Sequence, residues 1–141
     1  MQVEIGPVPS TAATAWLDYA EGIVRELDAV DPKGVPAEAR AEFARLIGEW
    51  RAAAAADATF RWQGNPAADQ VEYLILALYR LGNRLSDEED AGQRTVRPPE
   101  ARRFHVVLVQ SVLDALEQQG GAQAQFVAQL REQWEPARKD T

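Results

Sequence analysis

The stretch DATFRWQGNPAADQ, Asp57 to Gln70, divides a chain whose remaining sequence repeats largely at helical spacing. In extended backbone successive side chains alternate, so Phe60 and Trp62 share one side and Arg61 takes the other. Asn65 and Pro66 match a helix start, with Asn as N-cap and Pro at the first helical position. Asp69 follows in the first turn, where the helix dipole favours a carboxylate. The stretch is therefore read as the tail of one helix, an extended linker, and the start of the next helix, with Gly64 loosening the turn. The two aromatics are expected to plug the end of a helical bundle, leaving Arg61 in solvent. A partner-binding surface made by Phe60, Arg61 and Trp62 is the competing reading.

Upstream, the first ten residues read as an extended arm. Val3 and Ile5 alternate with polar neighbours, and Pro7 and Pro9 keep the segment out of helix. Ser10 or Thr11 is the expected cap of the first helix, on which Trp16, Ala20, Ile23, Leu27 and Val30 recur at helical spacing. DPKGVP, at 31–36, ends that helix, and Pro36 suits the first turn of the second. The second helix buries one stripe of Phe43, Leu46, Ile47, Trp50 and Ala54 and covers the rest with charge.

Downstream, a third helix runs from about Pro66 to Leu85 with a seam of Val71, Leu74, Leu78, Leu81 and Leu85. Ile75, Leu76 and Tyr79 lie off that seam, and a helix apolar nearly all round is central or covered by a partner. The run SDEEDAGQRTVRPP reads as a polar loop, with Ser86 and Glu89 spaced as a capping box. Pro98 and Pro99 open a fourth helix, which pairs with the third at the centre. Gly120-Gly121 is a tight joint into a fifth helix, whose inner face is Phe126, Val127, Leu130 and Trp134. The short joint makes the last two helices antiparallel neighbours. Pro136 is the expected stop. The fold expected is an all-α, single-domain bundle of about five helices, with a short extended arm at 1–10, a bundle at 11–135 and a frayed tail at 136–141.

With 141 residues, 46% hydrophobic and 26% charged, the chain suits one globular domain. It has no cysteine, hence no disulfide, thiolate metal site or cysteine nucleophile. The net charge of −7 argues against nucleic-acid binding, which depends on neutralising phosphate. It favours solubility or a basic partner. The start MQVEIGPVPS has no basic region and no long apolar run, so a cytoplasmic protein with no membrane span is expected.

The chemistry available is sparse. The lone histidine, His105, is expected at the edge of the fourth helix with a hydrogen-bonded ring nitrogen. No GxSxG elbow or phosphate loop is present. One histidine and no cysteine are too few for the usual transition-metal sets, so no metal and no cofactor are expected. The acids Asp87, Glu88, Glu89 and Asp90 lack EF-hand spacing and read as a solvated charge run or a partner-binding patch. Arg94, Arg97, Arg102 and Arg103 form a basic patch able to meet those acids across the loop. Glu72 is either buried with a partner or part of a solvated strip with Arg80 and Asn83.

Two functions fit. The first is a non-enzymatic protein-interaction module, an adaptor, regulator or immunity-type inhibitor, that binds another protein, with a homo-oligomer also compatible. The second is a small-molecule site between helices, drawing on Trp62, Glu72, Tyr79 and His105.

Overall fold

Helical spacing governs most of this chain, and five helices and two strands form among its described residues. The computed structural model describes the backbone of residues 1–30 and 37–139; the side chains of 22–30, 39, 122–123 and 133–139 lie outside the description. The order is β1 (Val3–Pro9), α1 (Ser10–Val30), α2 (Ala37–Ala56), β2 (Thr59–Gly64), α3 (Ala68–Asp90), α4 (Pro99–Gln119) and α5 (Gly121–Lys139). The turn expected at 31–36, the inner positions Ile23, Leu27 and Val30, and the side chain of Trp134 fall outside the described part.

The protein is mainly α, but not all-α. The arm and the linker expected to run separately form an antiparallel two-stranded sheet, with Val3 opposite Gly64, Ile5 opposite Trp62 and Val8 opposite Phe60. A register irregularity between Ile5 and Val8 contains Gly6 and Pro7. Val3, Ile5 and Phe60 are buried, so the sheet closes over the core. The pairing joins segments more than fifty residues apart, and local spacing carries no trace of it.

Three local expectations shift. Ser10 does not cap its own helix through its hydroxyl. That hydroxyl donates to the Asp57 carbonyl, and the Ser10 amide donates to the Ala58 carbonyl at 2.9 Å. Helix α3 begins at Ala68, two residues after Pro66, with Ala67 as N-cap and no side-chain cap bond. Helix α5 continues past Pro136 to Lys139; proline removes one hydrogen bond from a helix without always ending it.

The core sits around α4, against which α1, α3, α5 and β1 all pack. Phe104, Leu108, Val109, Val112, Leu113 and Leu116 are fully enclosed on it. The third helix is less central than its apolar count suggests. Val71, Leu74, Ile75, Leu78, Leu81 and Leu85 are buried, whereas Tyr73 and Leu76 are exposed. Gly120 ends α4 at φ 70°, a left-handed turn that glycine adopts without strain, and α5 folds back to pack on α4.

Candidate functional site

Aromatic residues from four elements form one connected group. Phe60 of β2 meets Phe104 of α4 edge-on at 5.2 Å between ring centres. Phe104 lies 5.6 Å from Trp16 of α1. Trp16 lies 6.2 Å from Trp50 of α2, and Trp50 lies 5.8 Å from Trp62 of β2. Edge-to-face contacts of this kind add to the stabilisation from burial alone. The row runs from fully buried Phe60 to half-buried Trp62, whose indole N–H donates to Glu49 at 3.2 Å. The ring of Trp62 covers Gly64, where an added Cβ would strike it. Gly64 therefore makes room for an aromatic ring, beyond any loosening of the turn. Arg61 faces outward, as strand alternation requires.

His105 is buried within this group, not at a helix edge. Its Nδ1 accepts the Trp16 Nε1–H at 3.0 Å. A neutral ring that accepts at Nδ1 carries its proton on Nε2, which faces the Leu78 backbone and Gly82 of α3. Burial, and then the positive charge of Arg97, push the His105 pKa down to about 3. The ring is held neutral in a buried position, where it joins α1, α3 and α4.

The acidic run is the second cluster. Asp87, Glu88, Glu89 and Asp90 form the last turn of α3 and not a loop. Glu89 takes the core-side position one turn after Leu85, and its carboxylate is almost fully enclosed. The Arg97 side chain, equally enclosed, donates from Nε to Glu89 Oε1 at 2.5 Å, and Arg102 reaches Oε2 at 3.3 Å. Arg97 also donates to Ser86 Oγ at 3.2 Å, so Ser86 serves the ion pair and caps nothing. Glu88 receives Arg94 at 2.8 Å and Arg84 at 3.1 Å, contacts that hold its carboxyl below its usual range. The basic patch expected before α4 thus meets the acids of the same chain, and Asp87 and Asp90 are left exposed.

The four residues of the small-molecule reading do not converge on a described groove. Trp62 lies on the sheet, Glu72 is half-buried near the start of α3, and the Tyr79 hydroxyl donates to the Leu130 carbonyl of α5 at 2.9 Å. A surface groove of about 400 Å³ is lined by Glu4, Ile5, Gly6, Arg61, Trp62 and Gln63. A wider one of about 680 Å³ lies between the start of α1 and the end of α2, floored by alanines. Glu72, Tyr79 and His105 line neither. Among the described residues no three His, Asp or Glu side chains are grouped to hold a metal ion, and no helix is long and apolar enough to cross a membrane.

Sequence reasoning missed Trp16 as the partner of His105; it let Arg97 meet the acids, but across a polar loop and not as a buried pair with Glu89. One signal for the buried pair was available. Glu89 extends the Leu78, Leu81, Leu85 spacing by one more turn, and a carboxylate on that stripe needs a buried cation. No protein-family model, curated protein or solved structure matches this chain.

Proposed function

We propose that this chain is a non-enzymatic protein-interaction module, a five-helix bundle whose working surface is the outer face of α3. The observation that carries the reading is the exposure of Tyr73 and Leu76, 39% and 36%, one turn apart on that face. Large apolar side chains placed together in solvent mark contact surfaces more often than isolated ones do. Tyrosine in particular is enriched where proteins meet. The groups best suited to proton transfer support the same reading, because His105 and Glu89 are committed to the core and to an ion pair. The net charge of −7 favours a protein over nucleic acid as partner, and the cysteine-free composition suits a reducing compartment such as the cytoplasm.

The test is a photo-crosslinking amino acid placed at position 76 and irradiated in the native host. Protein adducts at 76, absent when the probe stands at exposed Asp114, support the reading. No adduct above that control refutes it.

One observation favours the second reading, a small-molecule site. Arg61 and Trp62 both line the 400 Å³ groove at the sheet, which is within the size range of ligand pockets and offers one cation and one indole. Aromatic carboxylates should then raise the melting temperature of the wild type but not of Arg61→Ala. A flat response across such a series excludes it.

A further inference from the structure

The outward stripe of α3 reads Asp69, Tyr73, Leu76, Arg80. At 3.6 residues per turn these four fall within about 60° of arc, and all four are exposed. The order is acid, apolar, apolar, base, and the spacing is symmetric. Asp69 and Arg80 stand equally far from the midpoint of the stripe, as do Tyr73 and Leu76. A twofold axis through that midpoint, perpendicular to the helix, lays the stripe on a second copy of itself running the other way. Tyr73 then meets Leu76 of the second copy, and Asp69 meets Arg80 of the second copy, each contact occurring twice. This self-complementarity is what an isologous interface requires.

The charges at the two ends are available for it. Neither Asp69 nor Arg80 has an ion-pair partner among the described residues, whereas Arg45, Arg51 and Arg131 each hold carboxylates of their own chain. We propose that the outer face of α3 is a homodimer seam and that its occupant is a second copy of this chain, antiparallel across Tyr73 and Leu76. The proposal rests on the reading of α3 as a protein-binding face and names the partner. The stripe is only about 16 Å long at 1.5 Å per residue. A seam of that length falls toward the small end of specific interfaces, so the dimer is weak and depends on concentration.

Sedimentation equilibrium tests this, from about 1 µM to about 1 mM, the range over which weak complexes assemble. The wild type should pass from the mass of one chain to that of two, and Leu76→Arg should remain at one. Asp69→Arg sets like charges against Arg80 of the second copy, and Arg80→Asp sets like charges against Asp69. Each alone should lose self-association by tenfold or more, roughly the effect of 1.4 kcal/mol. Mixed together they should regain it. Position 69 of the first variant then faces position 80 of the second with opposite charge, and the native Arg80 of the first faces the native Asp69 of the second. Recovery on mixing also shows that neither variant is unfolded. A wild type with the mass of one chain throughout overturns the proposal, as does a dimer indifferent to the swaps. Adducts at position 76 that contain only other proteins, on a chain that never self-associates, remove the second copy while keeping the protein-binding reading.

Discussion

Trp16 and His105, 89 residues apart in the chain, share a hydrogen bond of 3.0 Å inside the core. The bond fixes which ring nitrogen carries the proton and ties α1 to α4 at the centre of the aromatic row. Its consequences for stability can be measured.

The first concerns pH. The folded pKa of His105 is lowered to about 3, against an ordinary value near 6.5. Between those values the unfolded chain binds a proton that the folded chain refuses, so stability falls as pH falls through this window. The loss approaches about 1.4 kcal/mol per pH unit well below 6.5. From pH 7.5 to pH 5 it amounts to about 2 kcal/mol. Urea melts at the two values should show it, and His105→Gln should flatten the dependence over that interval. A wild-type profile flat from 7.5 to 5 would mean that the ring is not held neutral.

Gly82 and Gly48 should respond oppositely to alanine. In a helix interior the change usually stabilises by about 0.5–1 kcal/mol. At Gly48 nothing lies within 4 Å of the added Cβ, so that gain is expected. At Gly82 the Cβ would stand 2.8 Å from His105 Nε2, on a ring buried in the core and bonded to Trp16. Overpacking of this kind costs about 1–3 kcal/mol and outweighs the helix gain. Thermal melts of the two variants should move in opposite directions.

Glu89 and Asp90 are adjacent acids with different fates. Glu89→Ala leaves Arg97 buried without its carboxylate, a loss of about 3–5 kcal/mol. Asp90→Ala, on the exposed side, should stay within about 0.5 kcal/mol. Denaturant melts that gave equal small effects would show that the Arg97–Glu89 pair is not closed.

Within FRWQG the three side chains should separate by burial. Phe60→Ala should cost about 3–5 kcal/mol, as for an enclosed aromatic. Trp62→Ala should cost less, since its ring is half-buried, and Arg61→Ala should stay within about 0.5 kcal/mol. If Trp62→Ala matched Phe60→Ala in a urea melt, the outer aromatic would be as much a part of the core as the inner one.

The helices are legible because apolar residues at three- and four-residue spacing leave a local record. Phe43, Leu46, Ile47, Trp50 and Ala54 read as one stripe, and all are buried. The sheet is not legible. Val3 and Ile5 show alternation, and Phe60 and Trp62 show it too, but their pairing depends on how α1 and α2 bring them together. The acidic turn reads as loop because its charge masks the seam that Glu89 continues. The Trp16–His105 bond joins two residues that each look like ordinary core positions, so spacing alone cannot couple them. Of the α3 face, the sequence shows an excess of apolar residues, and only the fold shows that Tyr73 and Leu76 are the ones left outside.

The pairing of β1 with β2 also bears on the order of assembly. The chain from Ser10 to Ala58 is a loop whose neck is tied by the Ser10 amide on the Ala58 carbonyl and by the strands beyond it. Closing such a loop costs chain entropy that helix formation does not, and non-local pairings are the slow part of folding. The strands should therefore join after the helices have collapsed. Val3→Ala, at the far end of the sheet, should then speed unfolding while leaving the refolding rate nearly unchanged. A chevron in which Val3→Ala chiefly slowed refolding would place the clasp in the nucleus instead.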